Sequence, residues 1–185
     1  MISPDERFRQ VYAANFEALL AYAIRRVEQH EDASDIVAET FLVAWRRGAD
    51  LPPDDEATLW LYGVARRVLA NHHRGGVRRE RLGERLRQRI TSLMSADPGH
   101  EVPQRLIVRA ALARLPEIDR EVLMLTAWEG LQPREVAEVL GLSAGTVRTR
   151  LSRARSRLRE LVGDDPPDAG HVLDVLTATV PEEGR

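Results

Sequence analysis

Apolar residues recur at three- and four-residue spacing through most of the chain, and breakers cut the pattern into helix-length segments. The first segment opens on a capping box: Ser3 is the N-cap, Pro4 holds the first helical position and Glu6 follows three residues after the cap. Phe8, Val11, Tyr12, Phe16, Leu19, Leu20, Ala23, Ile24 and Val27 then form one apolar face. A second helix is predicted over Asp32–Arg47, ending at Gly48, with Ile36, Val37, Phe41, Ala44 and Trp45 on its apolar side. Gly48–Glu56 holds two prolines and four acids and is predicted as a loop. Thr58 is the predicted cap of a third helix, with Trp60, Leu61, Val64, Ala65 and Val68 as its stripe and an end near Gly75 and Gly76. Leu82, Leu86, Ile90 and Leu93 continue a narrow stripe as a helical extension, after which SADPGHEVP has breakers and no period.

A second helical set follows, predicted over Gln104–Leu115, Glu117–Glu129, Pro133–Leu140 and Ala144–Leu161. No segment alternates as a strand would, and no internal repeat is visible. The expected fold class is all-α: two small helical domains, residues 1–75 and 104–162, joined by a flexible basic linker at 76–103. Residues 163–185 form an acidic, proline-containing tail that is expected to be flexible.

Leu131–Leu158, LQPREVAEVLGLSAGTVRTRLSRARSRL, has the grammar of a helix-turn-helix. Pro133 starts its first helix, Gly141 permits the tight turn, Leu142 plugs it and Ser143 caps the second helix. Stepping about 100° per residue from Val147 keeps Leu151, Ala154 and Leu158 within about 40° of one inward direction. The opposite side carries Thr149, Ser152 and Arg153, with Arg148 on its flank. Arginine can bond a guanine edge through two hydrogen bonds, and short hydroxyl residues permit close approach to the groove. Arg150, Arg155 and Arg157 lie nearer the sides, where phosphates would be. A basic amphipathic helix packed in an ordinary bundle is the plainer alternative.

Charge sharpens this division. The net charge of the 185 residues is only −2, yet residues 61–92 carry nine arginines against two acids and residues 28–60 carry nine acids against two arginines. Such blocks suit partners of opposite charge, although each is also what a solvated helix face looks like. Every one of the 27 basic residues is arginine, and there is no cysteine. Disulfides and thiolate metal sites or nucleophiles are therefore excluded. No apolar run approaches the length of a membrane span, and the N-terminus lacks the features of a secretory signal, so a cytoplasmic location without membrane insertion is expected. His72 and His73 are adjacent and would face different ways on a helix, so no metal is expected there. Walker loops, nucleophile elbows and carboxylate–metal clusters are likewise missing from the sequence, and neither enzymatic activity nor a cofactor is expected.

Two motifs carry a family resemblance. Asp32–Arg46, DASDIVAETFLVAWR, followed by Trp60–Arg66, WLYGVAR, resembles the second conserved region of bacterial RNA polymerase sigma factors of the extracytoplasmic function (ECF) type. Leu115–Leu123, LPEIDREVL, and Gly145–Arg155, GTVRTRLSRAR, resemble the fourth region of the same family. Arg67 and Gly63 depart from its pattern, where asparagine and arginine are frequent.

The resemblance implies a dissociable polymerase subunit that selects promoters and promotes DNA opening, with the polymerase supplying the chemistry. In that reading Asp32, Asp35 and Glu39 form an acidic ridge facing the clamp helices of the largest polymerase subunit, with Ile36, Phe41 and Leu42 as apolar anchors. The flap of the second-largest subunit is a further expected partner. The loop Gly48–Ala57 would capture a flipped base of the −10 element. Trp60, Tyr62, Arg66, Arg67, Asn71 and Arg74 would handle the melted single strand by stacking and phosphate contact, although core packing is the more ordinary role for Trp60. Arg148, Thr149, Ser152 and Arg153 would read the double-stranded −35 element. The family also implies an anti-sigma factor. The competing expectation is a helix-turn-helix regulator that binds DNA without replacing a sigma factor.

Overall fold

The computed structural model describes residues 3–27, 30–87 and 103–162, and among these every regular element is helical. The order is α1 (Pro4–Ile24), α2 (His30–Arg47), a 3-10 turn (Gly48–Asp50), α3 (Asp54–Arg87), α4 (Pro103–Ala113), α5 (Glu117–Ala127), α6 (Pro133–Leu140) and α7 (Ala144–Val162). The chain divides into two compact units, Met1–Ala96 and Asp97–Arg185. The acidic tail and residues 88–102 of the linker lie outside the described residues.

In the first unit, the Ser3 hydroxyl accepts from the Glu6 N–H at 3.2 Å and starts α1. α1, α2 and α3 pack on one another around Leu19, Tyr22, Ile36 and Leu61, each at most 2% exposed. Their burial supplies about 1.5–3 kcal/mol apiece of hydrophobic driving force. Small residues Ala33, Ala44, Ala57 and Ala65 let the helices approach. Buried polar groups are satisfied locally: Thr40 Oγ1 donates to the Ile36 carbonyl at 2.7 Å, and Asn15 Nδ2 to the Val11 carbonyl at 2.8 Å.

Both ends of α3 differ from expectation. Thr58 is no cap, because α3 begins one turn earlier, where the Pro53 carbonyl accepts from the Glu56 and Ala57 N–H groups at 2.9 and 2.8 Å. Its hydroxyl donates instead to Asn15 Oδ1 at 2.6 Å and ties α3 to α1. Nor does α3 end at Gly75 and Gly76; its backbone stays helical to Arg87. Two glycines cost roughly 0.5–1 kcal/mol each relative to alanine, which lowers helix stability without breaking the hydrogen-bond ladder.

The second unit is built around α7, which packs on α4, α5 and α6. Val122, Leu123, Leu125, Val136, Val147 and Leu158 are fully buried. Gly141 ends α6 at φ 66°, a left-handed conformation that alanine adopts at a cost of about 1–2 kcal/mol. Gly141→Ala should lower the stability of this unit by about that amount in thermal melts, although open space surrounds the position where the methyl would go. An unchanged melting temperature would show that the turn can take another shape.

Candidate nucleic-acid interface

The helix-turn-helix is fixed by local hydrogen bonds. The Gln132 N–H donates to Glu135 Oε2 at 2.7 Å and starts α6. After the turn glycine, the Leu142 N–H reaches back to the Ala137 carbonyl at 2.9 Å. Ser143 Oγ then accepts from the Thr146 N–H at 3.1 Å and starts α7. Val147, Leu151, Ala154 and Leu158 point inward and are buried, as their spacing predicts. Arg148, Thr149, Ser152 and Arg153 are brought together on the exposed side, with Ser156 and Arg157 beyond them. Thr149 Oγ1 donates to the Gly145 carbonyl at 3.1 Å, so its lone pairs and methyl are what it offers to a base edge.

The flanking arginines are not equivalent. Arg157 is exposed and available to a phosphate. Arg150 is engaged within the fold: its Nη1 lies 2.7 Å from Oδ1 of buried Asp119 on α5. Arg155 is half-buried, and burial, followed by the charge of Arg159, pulls its guanidinium below the ordinary arginine value. It is a partly packed residue.

In the first unit, the segment between α2 and α3 is held from both sides. Arg7 of α1 donates through Nη2 to the Pro52 carbonyl at 2.7 Å, and Arg47 of α2 through Nε to the Asp50 carbonyl at 3.1 Å. Leu51 is buried beneath. The Arg47 guanidinium also lies 5.3 Å from the centre of the Trp60 ring, and Trp60 is half-buried. Tyr62 is 4% exposed, its ring 5.2 Å from that of Tyr22, so it belongs to the core and is not placed to stack on a base. Arg67 and Asn71 are exposed and Arg66 is half-exposed along α3. Arg74 lies on the same helix, its side chain outside the described residues.

On α2, Asp35 and Glu39 are exposed one turn apart, while Asp32 pairs with Nε2 of His72 at 3.3 Å. Ile36 and Phe41 are 1% and 4% exposed, which corrects their assignment as surface anchors. Phe41 lies in an aromatic cluster, 4.6 Å from Tyr12 and 6.3 Å from Phe8 between ring centres. Leu42 is exposed as expected, and it is joined by Trp45, 49% exposed, whose ring meets Phe8 edge-on at 5.0 Å. Helix arithmetic contains the signal: about 100° per residue from buried Ala44 puts Phe41 at about 60° but Trp45 at about 100° and Leu42 at about 160°. Among the described residues no helix is long and apolar enough to cross a membrane.

A helix-turn-helix with an arginine-rich outer face is joined in one chain to a three-helix unit bearing an acidic and aromatic surface. Residues 11–79 match Sigma-70 region 2, and residues 105–158 match Sigma-70, region 4. The chain belongs to the ECF RNA polymerase sigma factors. It is 33% identical over 171 residues to the RNA polymerase sigma factor CnrH of Cupriavidus metallidurans, spanning 85% of this chain and 87% of that protein. It is 30% identical to the ECF RNA polymerase sigma factor SigL of Mycobacterium tuberculosis, over 82% and 86% of the two chains. Its fold is similar to that of the sigma factor RpoE of Bartonella quintana in a complex with the anti-sigma factor NepR. That likeness has a TM-score of 0.61 and 26% identity, covering 86% of this chain and 98% of the other.

Proposed function

We propose that this chain recruits core RNA polymerase to promoters by reading a −35 element with α7 and a melted −10 element with the first unit. The observation that supports this best is the exposed side of α7, where Arg148, Thr149, Ser152 and Arg153 converge above a fully buried stripe. A rigid helix offering bidentate donors and short hydroxyl residues suits the major groove. The 48–53 segment, held by Arg7 and Arg47, is a preformed loop for a flipped base, with Trp60, Arg66, Arg67, Asn71 and Arg74 following it on α3. The outer face of α2, with Asp35, Glu39, Leu42 and Trp45, is the surface for the clamp helices of the largest polymerase subunit. The second unit meets the flap of the second-largest subunit, and an anti-sigma factor, of which NepR on RpoE is an example, withholds the chain from polymerase.

Holoenzyme assembled from core polymerase and this chain should retain a promoter fragment selected from genomic DNA and release it when the −35 element is scrambled. Equal retention of both fragments would remove the −35 reading. Within that assay Arg153→Ala should cost about 1–3 kcal/mol and relax discrimination at one base pair. A loss uniform across sequences, with a salt slope lower by about 1, would reassign Arg153 to a phosphate.

A further inference from the structure

We propose that the Asp119–Arg150 ion pair sets the rotation of α7 about its own axis, which makes both residues positioning residues for −35 discrimination. The inference rests on the −35 reading above. Asp119 lies in the first turn of α5 and its side chain is 7% exposed. Its Oδ1 accepts from Arg150 Nη1 at 2.7 Å across a separation of 31 residues. Arg150 sits in the register between Val147 and Leu151, which pack inward, and Arg148, Thr149 and Arg153, which face out.

Apolar packing alone leaves that rotation loosely defined. Burial of Val147, Leu151, Ala154 and Leu158 is non-directional, so it selects the inward face of α7 without fixing its rotation to the precision of a hydrogen bond. A rotation of about 20° moves a side-chain atom at the helix surface, some 5–6 Å from the axis, by about 2 Å. Bidentate hydrogen bonds to a base edge tolerate only a few tenths of an ångström. A short, charged, directional bond from α7 to a neighbouring helix narrows the rotation to the range in which Arg148 and Arg153 can both reach their bases. The pair also resists being diverted to DNA. Moving Arg150 to a phosphate would leave the Asp119 carboxylate buried with its charge uncompensated, which is strongly unfavourable.

The test uses the full chain in holoenzyme, on a duplex carrying the −35 element that the holoenzyme selects and on the same duplex with that element substituted. Asp119→Ala and Arg150→Ala should each lower the preference for the selected duplex by about tenfold, the share of one bidentate base contact. The double variant should be no worse than either single one, because both remove the same constraint. The salt slope should stay unchanged in all three, since no phosphate contact is lost. Asp119→Asn keeps an acceptor for Arg150 and should recover part of the preference. If Asp119→Ala does not fold, Asp119→Asn and Arg150→Gln carry the comparison, with the larger loss expected for Arg150→Gln.

An unchanged preference with a lowered melting temperature would overturn the inference, because the pair would then stabilise without positioning. So would an Arg150 variant that weakens both duplexes equally and lowers the salt slope by about 1, since Arg150 would then be a phosphate ligand. Absence of any preference in the unmodified holoenzyme would instead remove the −35 reading itself.

Discussion

Leu158→Ala is expected to leave the second unit largely unfolded near physiological temperature while the first unit keeps its stability. Leu158 is fully buried at the far end of the α7 stripe, where it completes the contact that α7 makes with the rest of its unit. Truncating a buried leucine costs about 2–5 kcal/mol through lost transfer energy and the cavity left behind. A unit of this size is held together by only about 3–9 kcal/mol in total. Amide hydrogen exchange separates the outcomes: protection in α5, α6 and α7 should collapse, whereas α1, α2 and α3 should exchange as before. Binding to core polymerase through the first unit should survive in weakened form, and promoter selection should be lost. Simultaneous loss of protection in both units would show that they unfold as one cooperative body.

Trp45→Ala is expected to weaken association with core polymerase by about 30-fold, the loss typical of a central aromatic anchor, with little change in melting temperature. The side chain is half-exposed and rests edge-on against Phe8, so removing it opens no cavity in the core. Phe41→Ala should behave in the opposite way. Its ring is buried against Tyr12 and Phe8, and truncation should cost about 3–5 kcal/mol of stability before any partner is involved. Equilibrium binding to core polymerase, paired with thermal melts, reads both effects. A Trp45 variant that binds normally would move the polymerase contact away from this face.

The contrast between Phe41 and Trp45 shows where sequence reasoning works and where it stops. In the second unit nearly everything was legible, because the signals are local. The Ser143 cap, the turn at Gly141 and the four inward positions of α7 all lie within a few residues of what they control. In the first unit the three helices were visible, but their apolar faces are broad and aromatic, and the face was drawn too wide on one side. Periodicity places Ile36, Phe41 and Trp45 on one apolar side, yet Ile36 and Phe41 are buried and Trp45 is exposed, while Tyr62, expected at a base, lies in the core. Helix periodicity says which direction a residue points, not how deep a neighbouring helix lies in that direction. Contacts distant in sequence carried no signal at all. The Arg7–Pro52 hydrogen bond spans 45 residues and the Asp119–Arg150 pair spans 31; Arg7 carries no mark in the sequence, and Arg150 reads there as a phosphate contact. Thr58 had all the marks of a cap until the chain entered α3 one turn earlier, at Asp54.

Contacts of this kind lie in the segments to which the proposed function is assigned. Arg7 and Arg47 fix the segment leading into α3, and Asp119 restrains the helix proposed to read DNA. On the function proposed above, preorganisation of this kind spares the chain from spending binding energy on ordering its own loops.

The central claim is that this chain confers promoter selectivity on core polymerase, and run-off transcription tests it most directly. Purified core polymerase, the chain and a set of genomic fragments should give transcripts with defined start points from particular fragments, and none when the chain is omitted. No transcript from any fragment, using core enzyme shown to be active with another sigma factor, would contradict the account.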